Sequence, residues 1–204
     1  MIDDFAKEHL HEHLRWVREA LAWKLDGLRD YDIRRPLTPT GTSLLGLVKH
    51  CAVAESRYFG EVFGRPFPEP LPRWDDEDAS ETEFWAAGHE TREDIVGLYQ
   101  RVQRHSDATI IALPIDAPGY VPWWREEVKL FAIMAHVLSD ATRHAGHADI
   151  LREQLDGATG VDAESAARDD RDSDFWAARR ATVERAAQAA GRRAAEGGAA
   201  ERGS

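Results

Sequence analysis

His136–Gly157 reads HVLSDATRHAGHADILREQLDG, and both the fold and the chemistry to look for turn on it. It belongs to a helix predicted over Lys129–Leu155 that stops at Asp156-Gly157, glycine being the usual residue just past a helix end. At about 100° per residue, Asp140, His144 and His147 fall within roughly 60° of one another on this helix. His136 stands one turn before Asp140 on nearly the same stripe. Imidazoles and a carboxylate on one stripe of an otherwise apolar helix are costly to bury, so each needs a partner or a metal.

Working outward, three more helices are legible. Phe5, Leu10, Leu14, Val17, Leu21, Trp23, Leu25 and Leu28 recur at helical spacing and predict a helix over Asp3–Leu28. Gly27 and the Arg34-Arg35-Pro36 stretch end it, and residues 36–42 form a loop. Thr42 or Ser43 caps a second helix, SLLGLVKHCAVAESRYFGEVFG, closed by Gly64 and Pro66. The Pro-rich, acidic stretch RPFPEPLPRWDDED (65–78) is an irregular excursion. Ser80 with Glu83 reads as a capping box for a third helix over Glu81–Ser106. LPIDAPGYVPWW (113–124) is too rich in Pro and Gly for a helix and too short for a sheet. The expectation is an all-α four-helix bundle with long connections over residues 1–160. A charged, Ala-rich extension follows over 161–190, helical from about Ser173 to Ala190 and anchored by Phe175-Trp176. Residues 191–204 are expected to be a disordered tail.

Composition narrows the function. The chain has 204 residues, 43% hydrophobic and 31% charged, enough for an ordinary core without staples. Its formal charge of -11 argues against a nucleic-acid surface. The single cysteine, Cys51, excludes an internal disulfide and a cysteine-rich zinc site. No signal peptide and no membrane-length apolar run are visible, so a cytoplasmic protein is expected.

The i, i+4 spacing of Asp140 and His144 points two ligand side chains the same way, as in His-Glu-x-x-His metal sites. A third donor must come from another element. His50, inside the apolar run Leu44, Leu45, Leu47, Val48, Ala52, Val53, is the candidate. A lone histidine in such a run is more often a core residue bonded to a carbonyl or carboxylate; the clustering on the fourth helix favours ligation. His9, His11 and His13 alternate and read as a solvated face, and His89 and His105 lack clustered partners.

The segments LTPTGTSLLGLVKHCAVAESRYFGEVFGRP, LPIDAPGYVPWW and HVLSDATRHAGHADILREQLDG resemble the DinB-like metalloprotein superfamily. More narrowly they resemble its actinobacterial branch of largely uncharacterised proteins related to mycothiol-dependent transferases and isomerases, over about Asp4–Gly160. The resemblance implies a divalent metal between the second and fourth helices, zinc ahead of nickel or iron, held by His50, His144 and Asp140. Relatives carry His or a longer carboxylate at the position of Asp140; if its side chain falls short, His147 or a water completes the sphere. It also implies a low-molecular-weight-thiol S-transferase of the detoxification type, with mycothiol as co-substrate and an electrophile as partner. A non-enzymatic metal-binding stress module and a non-haem iron enzyme are the alternatives. Cys51 then reads as core, with Ala54 and Ser56 leaving room for a ligand. Arg143 and Arg152 are candidates to clamp carboxylates, or else surface ion-pair partners. Trp123 and Trp124 either wall the metal cleft or plug the bundle end, the plug being preferred. Gly146 suggests a close helix contact beside the metal, and a homodimer is expected.

Overall fold

The computed structural model describes residues 4–76, 82–168 and 170–202, with side chains as far as residue 193. The first apolar stretch forms α1 (Asp4–Trp23), with Leu14 and Leu21 buried. It stops short of the expected Leu28, because residues 24–27 turn away and Gly27 takes a φ of +76°. A short α2 (Asp30–Arg34) follows. His11 was expected to be solvated but is buried, and its ring bonds Asp107. Phe5 was expected on the buried face but is exposed.

Helix α3 (Leu44–Glu55) is capped by Ser43, whose Oγ accepts the Gly46 N–H at 3.2 Å. Almost every one of its residues is buried. A helix apolar all round must be covered on several sides, and α3 packs against two later helices, α4 (Arg92–Ala112) and α5 (Leu130–Asp156). It runs on through a π-helical turn, Ser56–Gly60, and a 3₁₀ turn, Glu61–Phe63, to left-handed Gly64.

Helix α4 begins later than predicted. Ser80 and Glu81 lie outside the described residues, but residues 83–90 are irregular, with turns at 83–84 and 88–89. The start is set instead by a capping box at Thr91 and Asp94, whose side chains each accept the other's backbone N–H, at 3.0 and 2.9 Å. The 113–124 region also departs from expectation. Strand β1 (Pro118–Val121) pairs antiparallel with β2 (Glu126–Lys129), from Pro118 opposite Lys129 to Val121 opposite Glu126. Gly119 permits this, because a side chain there would collide with Val62 and Phe63. Helix α5 ends at left-handed Gly157, as its sequence predicts, and packs along α1.

Two apolar clusters fill the bundle. One joins Leu21, Leu25, Leu44, Leu47 and Tyr99 to Leu151, and the other joins Leu14, Phe59, Ile110 and Val121 to Ile133 and Val137. Helices α3 and α5 pack against each other. The fold is all-α apart from the hairpin. Among the described residues no helix is long and apolar enough to cross a membrane.

Residues 1–166 form one compact unit and 167–204 a second. The second is built on a helix, Ser173–Arg202, which passes the expected end at Ala190 and includes most of the stretch expected to be disordered. Its Ala, Arg and Glu residues are strong helix formers. Phe175 and Trp176, expected to anchor it, are exposed and pack edge to face on each other.

Candidate metal centre

Helix α3 supplies His50 and α5 supplies Asp140 and His144. Their ligand atoms lie within 4.8 Å of one another. The rings of His50 and His144 are 4.7 Å apart between centroids. Asp140 sits between them, with Oδ2 at 3.8 Å from His50 Nε2 and Oδ1 at 3.5 Å from His144 Nε2. Charge-assisted hydrogen bonds close to about 2.7–2.9 Å, so these pairs stand too far apart to be strong ones. Ligands about 2.0–2.1 Å from a zinc ion lie roughly 3.4 Å apart along a tetrahedral edge, close to the spacing seen here. The buried Nδ1 of His144 has no hydrogen-bond partner among the described residues. Two imidazoles and one carboxylate, spaced like this, fit a divalent first-row cation with a position left for an outside ligand.

Electrostatics follow the geometry. The imidazoles of His144 and His50 hold the Asp140 carboxyl well below the usual carboxylate range. Burial alone would lower the pKa of His50, but the Asp140 and Glu83 carboxylates outweigh it and raise the value. Burial, with Glu55 and Asp140 nearby, pushes the Cys51 thiol well up, as suits a core residue.

The cluster opens on a cavity of about 370 Å³. Ala54 and Trp123 line it, as do Arg57 and Tyr58 from the π turn of α3. Such turns recur at functional sites. His136, one turn before Asp140, also lines the cavity, and its Nε2 lies 2.9 Å from the Tyr58 hydroxyl. Trp123 therefore walls the cleft rather than only plugging the bundle, while Trp124 packs on the rings of Tyr58 and His136.

Other expected participants stand elsewhere. His147 is exposed and outside the cluster. Arg143 is exposed. Arg152 is buried and occupied: Nη1 donates to the Lys24 and Asp26 carbonyls at 3.0 and 2.8 Å, and Nη2 meets Asp156 at 2.8 Å. It secures the chain after α1 and is not a substrate clamp. Ser56 is buried and donates to the Val53 carbonyl. Gly146 faces open space, so no close helix contact accounts for it.

The sequence reading missed Glu83, Arg57, Tyr58 and Phe84. Glu83 was taken for a capping residue; its Oε1 instead lies 3.1 Å from His50 Nδ1 and its Oε2 3.1 Å from Arg57. Phe84 stacks on the His50 ring at 3.9 Å and 16°. Arg57 and Tyr58 follow His50 by two helical turns, a spacing that marks one face. Glu83 and Phe84 sit in an irregular segment and leave no periodic trace.

The fold and the cluster together define a helical-bundle protein with a two-histidine, one-carboxylate centre beside an aromatic-walled cavity. Residues 9–157 match the family described as MST, Mycothiol-S-transferase, and the chain belongs to that family. No curated protein matches the chain.

Proposed function

We propose that the chain is a metal-dependent S-transferase that joins a low-molecular-weight thiol, mycothiol in the first instance, to an organic electrophile. The observation that carries this is the convergence of His50, Asp140 and His144, the first two of which line the cavity, in a chain of the mycothiol S-transferase family. A divalent cation held by these donors supplies a Lewis acid that favours the thiolate form of a bound thiol near neutral pH. Zinc is the expected ion, and nickel or iron the alternatives the same donors accept.

The chain's own residues do the rest. Asp140 contributes one negative charge against the ion, so a net positive charge stays available to an incoming thiolate. Tyr58, Trp74 and Trp123 offer rings against which the electrophile's carbon skeleton packs and from which water is displaced. His136 and Tyr58 share a proton at the same wall and can orient a polar group of either substrate. No sulfur of the protein is needed. A closed metal-storage module is the competing reading, and the cavity beside the donors weighs against it.

The test is conjugation of mycothiol to monochlorobimane, in which an S–C bond forms, chloride leaves with the bonding pair and the thiol proton passes to solvent. Turnover should appear with zinc-, nickel- or iron-loaded protein and vanish after chelation. Asp140→Asn should weaken metal binding more than His136→Gln. Absence of turnover with mycothiol and other small thiols, over several electrophiles, would overturn the transferase reading. The reverse order of the two variants would overturn the ligand assignment.

A further inference from the structure

The turn at residues 83–84 presses on α3 more closely than packing alone requires. A Cβ built on Gly46 would stand 2.0 Å from the Phe84 carbonyl oxygen, so only glycine allows the turn to lie where it does. Gly46 is one helical turn before His50. The contact therefore delivers two side chains to one ring: Glu83 to the edge of His50 at Nδ1, and Phe84 flat against its face. Arg57, also on the helix that bears His50, meets the other oxygen of Glu83, and its Nε and Nη2 donate to the Pro72 carbonyl at 3.2 and 2.9 Å. Lys49, beside His50 in sequence, reaches the Trp85 carbonyl at 3.1 Å and Glu90 at 2.8 Å, fastening the turn from its far side.

We infer that Glu83 is a positioning residue for His50, and that the turn seated on Gly46 is a clamp that sets both the tautomer and the plane of that ring. An ionised carboxylate at Nδ1 accepts a hydrogen bond, so the ring proton resides on Nδ1 and the lone pair of Nε2 faces Asp140 and His144. Stacking by Phe84 removes the remaining freedom, rotation about the Cβ–ring bond. Glu83 is buried, so its carboxylate needs the partners that His50 and Arg57 provide. Carboxylates that accept from the free nitrogen of a ligating histidine commonly contribute 10–100-fold in metal affinity.

This inference rests on the proposed metal centre, and the experiment separates the two. Zinc affinity is read by competition with a chromogenic chelator for wild type, Glu83→Gln, Glu83→Ala and Gly46→Ala. The expected losses are about 10–100-fold for Glu83→Ala and similar for Gly46→Ala, with Glu83→Gln retaining most of the affinity because its amide oxygen still accepts from Nδ1. Gly46→Ala crowds Ser43 Oγ as well as the Phe84 carbonyl, so Ser43→Ala, which removes the cap and leaves the turn seated, is its control and should bind zinc within twofold of wild type. In parallel, nitrogen-15 shifts of His50 are recorded in the metal-free protein. Wild type and Glu83→Gln should show protonated Nδ1, and Glu83→Ala a mixture of tautomers. Affinities of Glu83→Ala and Gly46→Ala within twofold of wild type would overturn the clamp while leaving the metal centre standing. A wild type that binds no zinc would sink the metal centre, and the tautomer measurement then decides the role of Glu83 by itself: unchanged shifts in Glu83→Ala end it.

Discussion

The bundle holds two clusters of charged and polar side chains, one closed and one open. Where α1, α3 and α4 meet, Arg18 makes a two-pronged pair with Glu55 at 2.9 and 2.6 Å and reaches Asp107 at 2.7 Å, while His11 meets the same Asp107 oxygen at 2.7 Å. The donors of Arg18 and His11 are spent on carboxylates at full hydrogen-bond contact, while the half-exposed Arg15 stands off at 3.8 Å from Asp107. Where α3 and α5 meet, Asp140 stands 3.8 Å from His50 and 3.5 Å from His144, and the Nδ1 of His144 has no partner among the described residues. Arg18 and Glu55 are the more deeply buried, and His50, Asp140 and His144 are partly buried; only the first cluster is closed. The first cluster is complete without a ligand and serves the fold. The second is left open, and under the proposed function a divalent cation completes it.

The largest effect should follow from breaking the closed cluster. Arg18→Ala strands the buried Glu55 and half-buried Asp107, and unfolding by denaturant should show a loss of about 3–5 kcal/mol, with or without zinc. His144→Ala should behave in the opposite way. Wild type should gain about 2.7 kcal/mol when zinc is present at a hundredfold over its Kd, and the variant should gain nothing, with a metal-free stability closer to wild type than that of Arg18→Ala. If both variants lose stability equally and zinc stabilises both, the distinction between the clusters is void.

A smaller effect sharpens the same contrast through pH. Burial would raise the pKa of Asp107, but hydrogen bonds from His11 and Arg18 outweigh it and hold the value at about 2, against an ordinary 3.8. A carboxylate depressed on folding stabilises the native state above its unfolded pKa, and that stability fades as pH falls from about 4 toward 2. The contribution is roughly 2 kcal/mol. Unfolding measured near pH 5 and near pH 2 should show this increment in wild type and not in Asp107→Asn. An equal acid loss in both proteins would mean that Asp107 is not ion-paired in solution.

Much of this was legible beforehand, for identifiable reasons. Helices α3 and α5 declare themselves by a long apolar run and by a polar stripe on an apolar helix, and their ends carry Ser43, Gly64 and Gly157. The three donors could be named because two share a helical stripe and the third interrupts an apolar run. Periodicity says nothing, however, about segments without a period. Glu83 and Phe84 reach the site through a turn that depends on the missing side chain of Gly46, a contact between residues 38 positions apart. The hairpin at Pro118–Lys129 was hidden by its Pro and Gly content, which ordinarily argues against strands. Arg152 was left with two readings because an arginine near a candidate site can clamp a substrate or pair with a nearby acid, and only its contacts with Asp156 and the carbonyls after α1 favour the second.

The placement of Cys51 bears on the survival of the protein in its proposed work. It neighbours His50 in sequence, yet its sulfur turns into the core with only 2% of the residue exposed and its thiol kept protonated. Alkylating agents that reach the cavity thus meet no cysteine sulfur among its lining residues.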